Sequence, residues 1–195
     1  MTLSTNEIFR SLSENIRHIQ SVEKTLIFND GIRITVTSFP PSYRARIGDD
    51  SFLLTENGQL ITDIPEAEVP TLTVHHLTQD ESVGKITPII DDDMRSIRLL
   101  QNLWKKYLPN MAIQAIDLYD KEKEFHITSG GTRYIFTLIN QNNEIITTLA
   151  QLIDQKQLAT NRYLYVDLRI PNKLYTCVLG EAVCIRNLSL LYGNS

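Results

Sequence analysis

The chain has 195 residues, of which 42% are hydrophobic and 22% are charged. This balance is typical of packed globular proteins, and the length suits one large domain or two small ones. The formal net charge of −4 argues against a nucleic-acid-binding protein, because such proteins carry a basic surface that neutralises phosphates.

No apolar run approaches the roughly 18–20 residues that span a bilayer. Met1–Arg10 lacks the basic and apolar regions of a signal peptide. The chain is therefore expected to be soluble, and a membrane anchor, if the protein has one, is expected to lie outside this sequence.

The first predicted element is an amphipathic helix from Thr5 to His18, with Thr5 as its N-cap. Ile8, Leu12, Ile16 and Ile19 recur at helical spacing and form one apolar stripe.

Two strands are predicted next, Val22–Phe28 and Ile32–Thr37. They flank Asn29–Gly31, and an Asp-Gly pair between apolar runs is a strong hairpin signal. The second strand alternates apolar and polar residues, which predicts one buried face. Phe39–Pro41 then interrupts the backbone hydrogen bonding between strands, since proline has no N–H group to donate.

Two short strands, Phe52–Leu54 and Leu60–Ile61, are predicted on either side of a turn at Glu56–Gly58. Thr71–Val74 is a further strand candidate. Residues 75 to 90 show neither a helical nor a strand period, so a domain boundary is predicted there, with one domain over 1–78 and another over 79–195.

A long helix is predicted to begin at Asp91–Asp93, where carboxylates suit an N-cap and the positive end of the helix dipole. Its apolar side comprises Met94, Ile97, Leu100, Gln101, Trp104 and Leu108. The elements expected after it are strands Ala112–Tyr119, Glu124–Thr128 and Arg133–Ile139, a helix Asn143–Leu158, and a hairpin of Tyr163–Ile170 with Leu174–Leu179. The predicted fold class is α+β, with two helices flanking a mixed or antiparallel sheet in the second domain.

The sequence lacks the short motifs of common catalytic sites. It has no GxSxG nucleophile motif and no phosphate-binding glycine loop. His75 and His76 point to opposite faces of an extended chain, so they are not expected to share an ion. Asp91–Asp93 fits helix capping better than a weak Ca²⁺ or Mg²⁺ site. The prediction is a non-enzyme without catalytic residues, cofactor or metal.

The two cysteines, Cys177 and Cys184, are too few for a disulfide framework. Two free, buried thiols are the favoured interpretation. A single disulfide across a hairpin, formed in an oxidising compartment, is the alternative.

Three segments, taken in order, resemble the FtsQ/DivIB family of bacterial cell-division proteins. The first is the helix, strand, Asp-Gly turn and strand that end at Phe39–Pro41, which resembles a small POTRA (polypeptide-transport-associated) domain. The second is Ser51–Ile61 followed by Val69–Leu72. The third and most specific is Tyr165–Lys173, reading YVDLRIPNK, which is similar to the family's closing hairpin. The resemblance covers about Leu3 to Val178.

These segments depart from the family pattern at four places. Thr55 stands where the family usually has aspartate, and no acidic residue precedes Pro40. Ile170 replaces an aromatic residue, and Lys173 stands where glycine is common.

The resemblance implies a non-catalytic scaffold of the division machinery on the extracytoplasmic face of the plasma membrane, anchored by one helix that is absent from this chain. In that family, FtsB-like and FtsL-like partners add a strand to the edge of the β-domain. The corresponding partner-binding residues here are Arg169, Ile170, Asn172, Leu174, Tyr175, Thr176, Cys177 and Val178. Nucleic acid is not an expected partner, and the POTRA-like part is a further contact candidate for other division proteins.

Other interpretations stay open at this point. One is a POTRA-bearing protein of envelope assembly or secretion, and another is an α+β hydrolase whose cleft gathers His75, His126 or carboxylates. Residues 179–195 match no pattern of the family. They are predicted to add a strand, which would cover the edge at Leu174–Val178, or to pack on the sheet.

Overall fold

The computed structural model describes residues 4–14, 19–27, 31–61, 68–75, 89, 91–138, 143–158, 162–171 and 173–192. Among these residues lie four helices: α1 (Thr5–Ser13), α2 (Asp91–Tyr107), α3 (Asn143–Asp154) and α4 (Ala182–Tyr192). The fold class is α+β, as predicted, with helices flanking a large mixed sheet.

The described strands form two sheets. They are β1 (Ile19–Ile27), β2 (Gly31–Ser38), β3 (Pro41–Ile47), β4 (Asp50–Thr55), β5 (Leu60–Ile61), β6 (Thr71–His75), β7 (Ala115–Tyr119), β8 (Glu124–Ser129), β9 (Thr132–Thr137), β10 (Tyr163–Asp167) and β11 (Tyr175–Val178). β1 and β2 form a separate antiparallel hairpin, and the other nine strands form one sheet in the order β11-β10-β9-β8-β7-β6-β3-β4-β5.

The nine-stranded sheet is mixed. The pairs β3–β6, β6–β7 and β9–β10 are parallel, and the remaining neighbours are antiparallel. Because β6 pairs with β7, strands from both sides of residue 78 belong to one sheet. The division into domains at that residue stays a prediction.

Helices α2 and α3 cover one face of this sheet and bury the main core. Trp104 of α2 is fully buried, and its indole N–H donates to the Met111 carbonyl at 2.8 Å. Its ring meets Tyr134 and Phe136 of β9 edge-on, at centroid distances of 5.0 and 6.4 Å. All six residues predicted for the apolar side of α2 are buried.

Helix α4 packs on the opposite face of the sheet. Tyr192 is buried with Tyr119 of β7 and Ile135 of β9, and Leu188 and Tyr165 lie against this group. Residues 179–195 therefore contribute a helix, and not a further strand, within the described range.

The turn between β4 and β5 matches the prediction and explains its glycine. Gly58 has a φ of +76°, and a Cβ at this position would lie 2.6 Å from the Ile89 carbonyl oxygen and 2.8 Å from Met94 Cγ. Only glycine fits both the backbone angle and the close approach of the segment that leads into α2.

Two expectations for the N-terminal part are wrong, and one strand was missed. The cap of α1 is Ser4, which forms a capping box with Glu7, and not Thr5. The strand β3 directly after Phe39–Pro40 was not predicted. The predicted buried face of β2 is absent, since its side chains are mostly exposed. Residues 15–18 and the turn residues 28–30 lie outside the described residues.

Candidate protein-binding edge

Strand β11 forms one edge of the nine-stranded sheet. It pairs antiparallel with β10, with Thr176 opposite Val166, and no other described strand lies beside it. The predicted closing hairpin is therefore present with shorter strands than expected.

The backbone of β11 offers hydrogen-bonding groups to a partner. The N–H of Leu179 donates to the Arg162 carbonyl, on the β10 side. Because peptide groups alternate in direction along a strand, the N–H groups of Thr176 and Val178 point away from β10. These two groups are the donors that an added strand would use.

A shallow groove of about 310 Å³ lies beside this edge, between α3 and the β10–β11 turn. Its walls are apolar, and Glu144 and Lys173 add one charge of each sign. The apolar wall residues are Ile145, Leu149, Leu152, Leu168, Ile170, Pro171 and Leu174. Among the predicted partner-binding residues, Ile170 and Leu174 line the groove, whereas Tyr175 and Thr176 are exposed on the strand itself. Asn172 lies outside the described residues.

Arg169, another predicted partner contact, is held by two carboxylates. Its Nε and Nη2 donate to Asp167 at 2.9 and 2.6 Å, and its Nη1 donates to Glu124. The bond to Asp167 and the charge of Glu124 raise the pKa of the guanidinium further above its ordinary value. The expected proximity of Asp167 and Arg169 is confirmed. The side chain stays 31% exposed, so one side of it remains open to a partner.

Glu124 is the centre of a buried polar cluster beneath α4. Its carboxylate accepts hydrogen bonds from Tyr192 at 2.7 Å and from Arg169, and it lies 3.3 Å from His126 Nε2. Burial acts to raise the pKa of Glu124, but these three partners outweigh burial and hold it below its ordinary value.

Burial lowers the pKa of His126, which is fully buried and hence neutral at pH 7. Burial and the bond to Glu124 raise the pKa of Tyr192. His126, Tyr119 and Tyr192 form a mutual ring cluster with centroid distances of 4.4 to 4.8 Å. The charge of Glu124 is thus buried together with partners that donate hydrogen bonds to it, whereas Nδ1 of His126 is buried without a hydrogen-bond partner among the described residues.

His75 joins this cluster from β6, stacked on Tyr119 at 4.5 Å and 3.0 Å from Asp117. The structure therefore does bring His75 and His126 to the same face, as the hydrolase interpretation requires. His126 is buried against Tyr192 of α4, however, and neither histidine lines the groove beside β11 or a second groove along α2. That the protein is not an enzyme stays a prediction.

The two cysteines are joined in a disulfide, which corrects the favoured interpretation of free thiols. The bond links Cys177 on β11 to Cys184 in the first turn of α4. The sequence contained the signal, two cysteines seven residues apart, but whether their side chains meet depends on where the chain places α4.

The acidic and sulfur groups give no assigned metal site. Cys177, Cys184 and Glu181 have ligand atoms within 4.8 Å of one another, but the disulfide occupies both sulfurs. In the predicted acidic run at the start of α2, Asp93 accepts a hydrogen bond from Lys123 Nζ at 2.7 Å.

A larger groove of about 830 Å³ lies along α2, away from the β11 edge. Tyr43 donates to Gln101 at 2.5 Å within it, and Arg98 pairs with Glu56 at its wall at 2.8 Å. These polar groups satisfy one another, and no nucleophile with an adjacent base lines this groove. We assign no chemistry to it.

Comparison with protein-family models gives no match, and a search of curated proteins gives none either. Within the described part of the chain, no helix combines the length and apolar character needed to cross a bilayer. The resemblance to FtsQ/DivIB proteins therefore rests on the sequence motifs alone.

Proposed function

We propose that this chain is a non-catalytic scaffold of bacterial cell division that binds FtsB-like and FtsL-like partners by addition of a strand to β11. The observation that carries the proposal is the side of β11 on which no described strand lies, where the N–H groups of Thr176 and Val178 point away from the sheet. The identity of the partners comes from the resemblance of YVDLRIPNK and the two earlier segments to the family.

The surroundings of β11 support a protein partner over a small substrate. Main-chain hydrogen bonds to an edge strand give affinity, and neighbouring pockets select side chains. The groove between α3 and the hairpin turn lies where an apolar side chain flanking the added strand would insert, against Ile170 and Leu174. Tyr175, 48% exposed, offers an aromatic contact of the kind enriched at protein interfaces.

A second candidate, a POTRA-bearing protein of envelope assembly, is favoured by the exposed sheet face of the β1–β2 hairpin. Leu26, Ile32, Ile34 and Val36 lie on one side of that hairpin by their cross-strand register and are all exposed. Contiguous exposed apolar residues are typical of protein-binding surfaces.

The division proposal is tested by titrating the chain with the extracytoplasmic segments of FtsB-like and FtsL-like proteins from the same genome. We expect saturable binding that Thr176→Pro weakens at least about tenfold, because proline removes an outward donor and blocks strand addition. Thr176→Val is the matched control, since it changes the side chain but keeps the N–H group.

Circular dichroism checks that each variant stays folded. Equal binding by the wild type and Thr176→Pro would move the site away from β11. Failure of the folded wild type to bind these segments would contradict the division proposal. Binding of an envelope-assembly partner that Ile34→Asp abolishes would then favour the second candidate.

A further inference from the structure

Strand β11 has few contacts of its own that keep it in the sheet. It comprises four residues, and β10 is its one neighbour among the described strands. Tyr175 and Thr176 are exposed, and Cys177 and Val178 are only partly buried. Short edge strands with little buried apolar surface open easily. An added partner strand would need this edge to be ordered.

Helix α4 rests on the sheet through a narrow line of residues. Cys184, Leu188 and Tyr192 lie four residues apart and face inward, whereas Val183 and Leu190 are 67% and 73% exposed. An isolated helix of 11 residues is marginally stable in water. The position of α4 therefore depends on its two ends.

Each end of α4 is fastened to a different part of the sheet. At the start, Cys184 is bonded to Cys177 of the edge strand. At the finish, the Tyr192 hydroxyl donates to Glu124 of the central strand β8 at 2.7 Å, inside the buried cluster. The edge strand is in this way connected, through the helix, to the best-buried part of the sheet.

We propose that α4 and the Cys177–Cys184 disulfide form a redox-controlled latch on β11. With the disulfide intact, the latch keeps β11 in the sheet and its outward N–H groups in position. Reduction releases the start of α4, β11 opens, and strand addition is lost. The last step rests on the proposed function, whereas the opening of β11 does not.

Reduction of the Cys177–Cys184 disulfide requires two electrons, which a dithiol reductant supplies. One of its thiolates attacks Sγ of Cys177, the less buried of the two cysteines, and forms a mixed disulfide as the S–S bond breaks and Cys184 leaves as a thiolate. The reductant's second thiol then closes its own disulfide and releases Cys177. Two protons complete the pair of protein thiols.

Two neighbouring features have opposite effects on the stability of the Cys184 thiolate. Its place in the first turn of α4 stabilises a thiolate. The Glu181 carboxylate, 3.4 Å from Cys184 Sγ, disfavours one. Replacement of Glu181 by glutamine is therefore expected to make the disulfide easier to reduce.

The test compares hydrogen exchange of the full chain before and after treatment with dithiothreitol. We expect the amides of Tyr175, Cys177 and Leu179, whose N–H groups face β10, to exchange about tenfold faster or more after reduction, because a cross-link that closes a short loop restrains the opened state. The amides of β8 serve as the internal control and should change little. Binding of the FtsB-like and FtsL-like segments should weaken by a similar factor.

Two further measurements keep the outcome unambiguous. Reoxidation must restore slow exchange, which separates opening from irreversible unfolding. Tyr192→Phe removes the hydrogen bond at the other end of α4 and leaves the cysteines unchanged. We expect it to enlarge the effect of reduction on the amides of Tyr175, Cys177 and Leu179. Exchange at β11 that is the same in oxidised and reduced protein would overturn the latch, even where binding persists. Absence of binding in the oxidised protein would contradict the proposed function and leave the exchange result to decide the latch.

Discussion

Strands β2 and β8 have similar alternating patterns in the sequence, but the side chains of β2 are exposed and those of β8 are buried. In β2, apolar residues alternate with arginine and threonine, and its side chains are mostly exposed. In β8, apolar residues alternate with Glu124, His126 and Thr128, and nearly every residue is buried. Alternation divides a strand into two faces, but it does not say whether either face is covered.

The difference comes from the neighbours of the two strands. β8 has a strand on each side, α2 and α3 below it and α4 above it. β2 has only β1. A polar face is buried in β8 because its charged groups find partners on distant elements, among them Tyr192, 68 residues from Glu124.

The largest expected effect is the loss of stability when a core side chain is shortened. Phe125→Ala should lower the free energy of unfolding by about 3–5 kcal/mol, since Phe125 is fully buried and its loss leaves a cavity. The matched change in the hairpin, Ile34→Ala, should cost less than about 1 kcal/mol because Ile34 is already 47% exposed. Urea unfolding of both variants measures the contrast. Equal losses would mean that the face of β2 is covered in solution.

A smaller effect is expected from the buried charge cluster. Glu124→Gln should cost about 2–3 kcal/mol, because it leaves Arg169 with one carboxylate and weakens the bond from Tyr192. The control is Glu23→Gln on the exposed side of β1, which should change stability by no more than about 0.5 kcal/mol. If the two changes were equally mild, the cluster would not contribute to holding α4.

The smallest expected effect is on the pH dependence of stability. The lowered pKa of His126 means that the unfolded chain takes up a proton on this residue near pH 6.5 while the folded chain does not. Stability should therefore fall as the pH drops below about 6.5, and fall further below about 4.5 as the lowered pKa of Glu124 comes into play.

This pH effect can be measured by urea unfolding at pH 7 and pH 5.5. Replacing His126 with glutamine should flatten the dependence in that interval, whereas changes in the β1–β2 hairpin should leave it intact. A dependence that survives His126→Gln unchanged would assign it to other groups.

The candidate edge was only partly predictable. The closing hairpin and the neighbouring positions of Asp167 and Arg169 follow from period-two spacing and the Pro171 turn. The second carboxylate on Arg169 comes from Glu124, 45 residues away, and no local pattern indicates it. The disulfide and the helix after residue 181 were likewise undetermined, because the apolar residues of α4 do not form the broad stripe from which an amphipathic helix is recognised.

The sequence by itself determined the α+β class, the approximate positions of helices α1 to α3 and most strands, and the turn at Gly58. These features depend on backbone preferences and side-chain spacing within a few residues. Only the tertiary structure decided which strand lies at the edge, which alternating faces are buried and which cysteines and charges meet. Those outcomes depend on contacts between residues far apart in the chain, whose energies no local pattern contains.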